Sequence, residues 1–163
     1  MSSELNDKST GTRHKAREAA LQMLFAVDMS PEDPEVLTRN YWNELGDEAI
    51  DERTRDFANS LVKGTLENIS AIDDCIKVRA EHWRIERMAI VDRNVLRLAV
   101  FEFLYFDTPE TVSINEALEL ARKFSSYEAT QFINGVLDAI RQDVAVRSSD
   151  NAGEPISSST SAN

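Results

Sequence analysis

Apolar residues recur at steps of three and four along most of this 163-residue chain. This spacing places them on one face of an α-helix, whereas a half-buried strand would alternate with a period of two residues. The sequence contains no alternating run of that kind. The first apolar stripe consists of Ala16, Ala19, Ala20, Met23, Leu24 and Val27. It predicts a helix that starts near Thr12, and the complete pattern predicts an all-α fold of about seven helices.

Three further helices are predicted in the first half of the chain. Asp33 followed by Pro34 is typical of an N-cap with proline at the first helical position, and the helix that it opens extends to Leu45. Helical spacing of apolar residues predicts a third helix from Phe57 to Ile69. Ser70 is placed to cap a fourth.

The segment from Asp92 to Phe106 is apolar on almost every side. Asp92 is a suitable N-cap, and a helix without a polar face must be buried on all sides. We therefore expect this helix to be central. Arg93, Arg97 and Glu102 interrupt the apolar run, and we expect them to form ion pairs at the rim of the helix, with a polar contact to a partner as the alternative.

The last two helices carry capping signals of their own. Ser113 and Glu116 have the S-x-x-E spacing of a capping box, and Ser126 is a suitable N-cap for the final helix. Gly135 lies inside that final helix. Because glycine costs about 1 kcal/mol relative to alanine within a helix, we expect Gly135 to mark a close contact between helices.

The two ends of the chain differ from the part between them. Residues 1–11 and 146–163 contain serine, asparagine and glycine and show no apolar periodicity. This composition is typical of disordered segments. We therefore predict one helical domain over residues 12–145, because a chain of this size can bury a substantial core.

Charge is distributed unevenly along the chain, whose net charge is −11. From Asp28 to Asp56 there are ten acidic residues and three arginines. From Lys8 to Arg17 there are four full positive charges, one histidine and no acidic residue. The net charge alone argues against a nucleic-acid partner, but phosphate binding depends on local positive charge. The acidic stretch is best explained as a solvated face.

Motifs for catalysis or metal binding are absent from the sequence. Cys75 is the only cysteine, and His14 and His82 lack a second ligand at metal-binding spacing. There is no phosphate-binding loop, dinucleotide fingerprint or nucleophile elbow. We expect a protein that is not an enzyme and needs no cofactor or metal. The polar start and the absence of a membrane-length apolar run indicate a cytoplasmic protein.

The cluster Arg13-His14-Lys15-Ala16-Arg17 is the candidate binding element. Cations at the start of a helix oppose the helix dipole, so a functional reason for them is expected. Arg13, Lys15 and Arg17 can line one arc of the helix, and arginine binds phosphate bidentately and stacks on bases. A solvated helix end is the other interpretation. Single-stranded RNA fits better than duplex DNA, because no basic recognition helix follows.

Four separated segments of the chain form a characteristic set. They are R-H-K-A-R-E-A-A-L-Q-M-L-F at 13–25, V-D-R-N-V-L-R-L-A-V-F-E-F at 91–103, S-I-N-E-A-L-E-L-A-R-K-F at 113–124 and F-I-N-G-V-L-D at 132–138. Together they resemble the bacterial NusB family of transcription antitermination factors. The resemblance covers residues 12 to about 141, and the four motifs occur in the family's order. It implies an all-helical domain made of two small helical subdomains.

The resemblance also implies a function and a set of contacts. The family binds the boxA element of nascent RNA from ribosomal RNA operons as a heterodimer with ribosomal protein NusE, within a transcription elongation complex that contains other Nus factors. A homodimer of the free protein is left open. The implied RNA contacts are Arg13, His14, Lys15, Arg17, Phe124, Ser125, Ser126, Tyr127, Gln131 and Asn134. The implied partner contacts are Phe25, Asp92 and Arg93.

His14 and Lys15 depart from the family pattern, in which arginine is frequent at both positions. Lysine lacks the bidentate fork of arginine, and histidine titrates near neutral pH, so weaker or pH-dependent RNA binding is expected. Two alternative functions stay open. One is the helical domain of an RNA cytosine methyltransferase, to which NusB-like domains are also fused; the other is a helical scaffold that binds only proteins.

Overall fold

The computed structural model describes residues 2–45 and 49–152, with side chains from residue 12 to residue 45 and from 49 to 150. The described residues form seven α-helices, a short 3₁₀ turn at Ile85–Arg87 and no strand. The helices are α1 Ser2–Met29, α2 Pro34–Glu44, α3 Glu52–Glu67, α4 Ile69–Arg79, α5 Ile90–Tyr105, α6 Glu110–Phe124 and α7 Tyr127–Ala152. The predicted all-α class and number of helices are confirmed.

The helices form two groups that share α5. Helices α1, α2 and α3 pack against one another, and α4, α6 and α7 pack around α5. Helix α5 also packs on α1 and α3, so it joins the two groups. Nearly every residue from Asn94 to Phe103 is buried, which confirms the predicted central position of this helix.

Two of the predicted caps are confirmed. The Asp33 carboxylate accepts a hydrogen bond from the backbone N–H of Glu35 at 2.9 Å, and Pro34 is the first residue of α2. The Ser126 hydroxyl accepts one from the backbone N–H of Ala129 at 3.1 Å. Each cap satisfies a backbone donor that the first turn of a helix would otherwise leave without a partner.

Three other predicted caps are wrong. Helix α4 begins at Ile69, with Asn68 rather than Ser70 between it and α3. Helix α5 begins at Ile90, which puts Asp92 inside its first turn. Helix α6 begins at Glu110 rather than at the predicted capping box, because Pro109 fixes the backbone angle before the helix and starts it about one turn earlier.

The predicted domain boundaries at residues 12 and 145 fall inside helices. Helix α1 begins at Ser2, and α7 continues to Ala152. Loss of apolar spacing marks the end of a buried face, but the backbone can continue as a helix until a residue such as proline stops it. No proline occurs in residues 1–12 or 146–152. Residues 153–163 of the predicted C-terminal tail lie outside the described residues, and the domain limits themselves stay predictions.

The close helix contact predicted at Gly135 lies elsewhere. A Cβ atom added at Gly135 would meet no atom within 4 Å. At Gly64 the same atom would lie 2.1 Å from Cζ of Phe101, far inside van der Waals contact. Gly64 therefore lets α3 approach α5 at the Phe101 ring, and Gly135 belongs to the surface.

Within the described residues, no helix combines the length and the apolar composition that crossing a membrane requires.

Candidate nucleic-acid interface

The basic cluster divides into an exposed and an inward-facing half. Arg13 and Lys15 are exposed, and neither forms an ion pair with any residue that the structure describes. The Arg13 guanidinium lies over the ring of Phe57, with Cζ 4.9 Å from the ring centroid. Stacking on the ring orients the guanidinium and leaves its N–H donors for a ligand.

Arg17 is buried, with 2% of its surface exposed. Its Nε and Nη2 atoms donate to both carboxylate oxygens of Glu102 on α5, at 2.8 to 3.2 Å. The expectation that Arg13, Lys15 and Arg17 line one exposed arc is therefore wrong. The burial of Arg17 follows from its position directly after Ala16 and before Ala19 and Ala20, on the packed side of α1. The guanidinium anchors α1 to α5 in this structure.

His14 connects α1 to α6. Its Nε2 atom lies 3.0 Å from the carboxylate of Glu18, and its Nδ1 atom lies 2.8 Å from the carboxylate of Glu116. The Lys123 ammonium also donates to Glu18, at 2.9 Å. These contacts hold α1 along α6, with His14 beside Glu116 and Glu18 beside Lys123 near the end of α6.

The turn between α6 and α7 carries most of the other predicted RNA contacts. They are Phe124, Ser125, Ser126, Tyr127, Gln131 and Asn134. All except Ser125 are exposed, and Tyr127 retains 77% of its surface. The Gln131 amide donates to the Tyr127 hydroxyl at 3.0 Å, which keeps these two side chains together. The contact of Lys123 with Glu18 thus brings α1, just after the basic cluster, close to this turn.

Ser125 and the predicted partner residues lie along one side of α5. The Ser125 hydroxyl donates to the Asp92 carboxylate at 2.5 Å. Arg93 donates to both oxygens of Asp28 at the end of α1, at 2.6 and 2.7 Å. Phe25, one turn before Asp28, is exposed. The first turn of α5 therefore contacts both the far end of α1 and the turn before α7.

Asp28 is the centre of a largely buried polar network. Burial would raise the pKa of its carboxyl, but hydrogen bonds from Arg93 and Asn94 and the charges of Arg93 and Arg97 outweigh burial and hold the pKa below its usual value. The hydrogen bond to Asp28 raises the pKa of Arg93. Arg97 also donates to Asp73 on α4, at 2.8 and 3.0 Å. The network ties α1, α4 and α5 together.

Ion pairing of Arg93, Arg97 and Glu102 is confirmed, but its place is not the rim of the helix. Glu102 retains 1% of its surface and Arg97 retains 8%. The presence of these three charged residues in an otherwise apolar helix predicts ion pairs, since a buried charge needs an opposite charge nearby. The partners Arg17, Asp28 and Asp73 have no local signal, because they are distant in sequence and come together only on folding.

Metal-binding clusters of three or more histidine, cysteine or carboxylate side chains do not occur among the described residues.

Known proteins have sequences similar to that of this chain. The chain matches the sequence model of the NusB family over residues 14–142. Transcription antitermination protein NusB from Koribacter versatilis is 49% identical over 136 residues, which cover 83% of this chain and 92% of that protein. The protein of the same name from Solibacter usitatus is 49% identical over 133 residues, covering 82% of this chain and 90% of that protein.

Solved structures agree with the sequence comparison. T. maritima NusB superposes with a TM-score of 0.74 at 34% identity, covering 85% of this chain and 96% of that one. A NusB chain in a crystal structure of antitermination factors NusB and NusE with double-stranded RNA superposes with a TM-score of 0.72 at 28% identity, covering 81% and 97%. The chain belongs to the NusB family.

Proposed function

We propose that this protein is an RNA-binding transcription antitermination factor, which binds boxA-type single-stranded RNA of nascent ribosomal transcripts together with NusE. The observation that carries the proposal is the exposed pair Arg13 and Lys15, which lies within α1. These cations have no acidic partner among the described residues, although the chain carries a net charge of −11. Two exposed cations two residues apart form a local positive charge that an anionic ligand can bind.

The surroundings of this pair fit single-stranded RNA. Contacts of His14 and Lys123 with carboxylates hold α1 along α6, which ends at the exposed Phe124 and is followed by the exposed Tyr127. Exposed aromatic rings stack on unpaired bases, whereas the amides of Gln131 and Asn134 can donate to and accept from base edges. We propose that Ser125 and Arg17 position the RNA-binding residues rather than contact RNA, because the Ser125 hydroxyl donates to Asp92 and the Arg17 guanidinium donates to Glu102.

NusE is the proposed partner at the far end of α1 and the first turn of α5. The solved complex of a relative contains NusB, NusE and double-stranded RNA. Here the exposed Phe25 and the first turn of α5, with Asp92 and Arg93, offer a surface at the far end of α1. A partner with basic surface would add phosphate contacts that this acidic chain lacks. We place the heterodimer in the cytoplasm, within an elongation complex with other Nus factors.

An RNA titration tests the proposal. Labelled boxA-type RNA is titrated with the protein and NusE at two salt concentrations, and the variant Arg13→Gln with Lys15→Gln is compared with wild type. Each phosphate contact on single-stranded nucleic acid contributes about 0.7 to the slope of log affinity against log salt. We expect the double variant to bind more weakly and to lose about 1.4 of that slope, on the same basis.

The matched control is Arg39→Gln with Arg53→Gln, which removes the same charge from exposed positions on α2 and α3. We expect this control to bind RNA almost as wild type does. Equal losses in both variants would show that only net charge matters, and unchanged binding in the first variant would refute the proposed site. Binding to NusE without any RNA binding would instead support a scaffold that binds only proteins.

A further inference from the structure

The connection between α4 and α5 presents an exposed tryptophan. Trp83 retains 58% of its surface. Its ring lies against that of Phe132 on α7, with 5.9 Å between centroids and 59° between planes. Its backbone N–H donates to the carbonyl oxygen of Ala80 at 2.8 Å, which fixes the chain at the end of α4. The indole therefore packs against Phe132 and leaves a large aromatic surface exposed to solvent.

Three cations surround a shallow depression next to this tryptophan. Lys77, Arg84 and Arg87 are exposed and line a cavity of about 440 Å³ together with Ile85 and Glu86. None of the three cations forms an ion pair or a side-chain hydrogen bond with the residues that the structure describes. One acidic side chain thus faces three unpaired cations.

This pattern contrasts with most arginines near the core of the protein. Arg17, Arg93 and Arg97 each donate to at least one carboxylate. In the same segment Arg79 pairs with Asp143 on α7. An acidic chain has many carboxylates available for pairing, so cations left without them beside an exposed aromatic ring indicate a ligand that is itself anionic and has flat faces.

The patch formed by Trp83, Lys77, Arg84 and Arg87 lies next to α7, which carries part of the proposed RNA surface. Phe132, on which Trp83 rests, follows Gln131 directly and lies within one turn of Asn134 on α7. With 3.6 residues per turn, Phe132 lies about 100° around α7 from Gln131 and about 160° from Asn134. RNA bound at Gln131 would therefore have to continue around α7 to reach the indole, which requires additional nucleotides.

We propose that Trp83, Lys77, Arg84 and Arg87 form a second contact for single-stranded RNA, in which the indole stacks on a base and the three cations bind phosphates on either side of it. The inference rests on the proposed function and extends its RNA surface beyond the residues assigned above. Stacking on tryptophan accepts any base, so this contact adds affinity and length to the bound RNA rather than sequence preference.

Tryptophan fluorescence provides the direct test. The chain contains two tryptophans, and Trp42 is half-buried with its indole N–H donated to Asn59 at 2.7 Å. The protein with NusE is titrated with a boxA-type RNA and with a version several nucleotides longer at each end. Stacking of a base should quench the emission of Trp83. We expect quenching in wild type, strongest with the longer RNA, and none beyond the background of Trp42 in Trp83→Phe.

Affinity measurements separate the ring from the charges. Trp83→Ala should weaken binding of the longer RNA on the order of tenfold, since one stacked base typically contributes that much. Trp83→Phe keeps an aromatic ring against Phe132 and should retain most of the affinity. Arg84→Gln with Arg87→Gln should lower the salt slope by about 1.4, whereas Arg39→Gln with Arg53→Gln should leave it unchanged. Thermal unfolding of each variant confirms that it is folded.

Several results would overturn this inference and leave the proposed function intact. One is quenching in Trp83→Phe equal to that of wild type. Another is unchanged affinity in Trp83→Ala and an unchanged affinity and salt slope in the double variant Arg84→Gln with Arg87→Gln, while the Arg13 and Lys15 variant binds weakly. If these variants lost NusE binding and kept their RNA binding, the patch would be a protein-binding surface, and the inference would also be refuted. If wild type with NusE bound neither RNA, the proposed function would fail first, and this inference with it.

Discussion

Arg13 and Arg17 lie one helical turn apart on α1 and both contact the ring of Phe57, but one belongs to the surface and the other to the interior. Arg13 is exposed, and its guanidinium stacks on Phe57 beside the connection from α5 to α6. Arg17 belongs to the interior around α5, where Glu102 takes up its charge. The comparison shows that a basic cluster in a sequence is not one functional unit. The packing of the helix decides which of its cations a ligand can reach.

The largest effect should come from Arg17→Ala. Removing one partner of a buried ion pair leaves the other charge without compensation, which typically costs about 3–5 kcal/mol. We expect a loss of this size in the free energy of unfolding, measured by urea denaturation. Arg13→Ala is the matched control and should lose less than about 1 kcal/mol, because its cation–π contact is at the surface.

The pair can also be tested by replacing both charges. Arg17→Met combined with Glu102→Leu should recover most of the stability that Arg17→Ala loses, because apolar residues of similar volume often replace a buried ion pair without cost. Equal losses in Arg13→Ala and Arg17→Ala would contradict the division between surface and interior.

Gly64→Ala should have the next largest effect. Its added Cβ would lie 2.1 Å from the Phe101 ring in the packed contact between α3 and α5. Overpacking of this kind costs about 1–3 kcal/mol, which should lower the urea midpoint. Adding Phe101→Leu should restore part of the loss relative to Phe101→Leu alone. A Gly64→Ala variant as stable as wild type would show that the ring moves aside freely.

Asp28→Asn tests the far end of α1. Asn retains an acceptor but no charge, and hydrogen bonds to charged groups contribute about 1.5–3 kcal/mol each, so we expect a loss of about 2 kcal/mol at neutral pH. The pKa of Asp28 is lower in the folded protein than its ordinary value of 3.8. Its stabilisation is therefore fully present above pH 3.8 and is lost as the pH falls through the folded pKa.

The measurement for Asp28 is urea unfolding of both proteins at a series of pH values. The difference between wild type and Asp28→Asn should be constant above pH 3.8 and should shrink below it. Asp74→Asn, at an exposed position on α4, should change little at any pH. A difference that instead grew in acid would mean that the carboxylate destabilises the folded state.

Local signals in the sequence were sufficient for the helices and for two of their caps. Apolar spacing identified six of the seven described helices, and the Asp33–Pro34 cap identified α2. Asp33 and Ser126 act within three residues of their own positions, so their roles can be seen without the fold. The capping box at Ser113 has the same kind of signal, but Pro109 starts the helix earlier and Ser113 becomes buried. A local pattern therefore fails where a neighbouring residue imposes a stronger constraint.

The candidate site depended on contacts that the sequence does not show. Glu102 is 85 residues from Arg17, and no spacing rule connects them. The alanines that flank Arg17 on the packed side of α1 were the one hint that its side chain turns inward. The sequence does not single out Trp83, because Glu81 and Glu86 offset the charge of the neighbouring cations along the chain. Only folding shows which of these charges remain unpaired.

Gly135→Ala, at the surface of the protein, should have the smallest effect, and it should stabilise the protein rather than destabilise it. Glycine within a helix costs about 1 kcal/mol relative to alanine, and a Cβ at Gly135 meets no atom within 4 Å. We expect the free energy of unfolding to rise by about 1 kcal/mol, whereas the same substitution at Gly64 lowers it. RNA affinity should not change, because the added methyl group removes neither a donor nor a charge. A loss of stability in Gly135→Ala would show that this turn of α7 is packed more closely than its open surface indicates, and the two glycines would no longer mark the two regions.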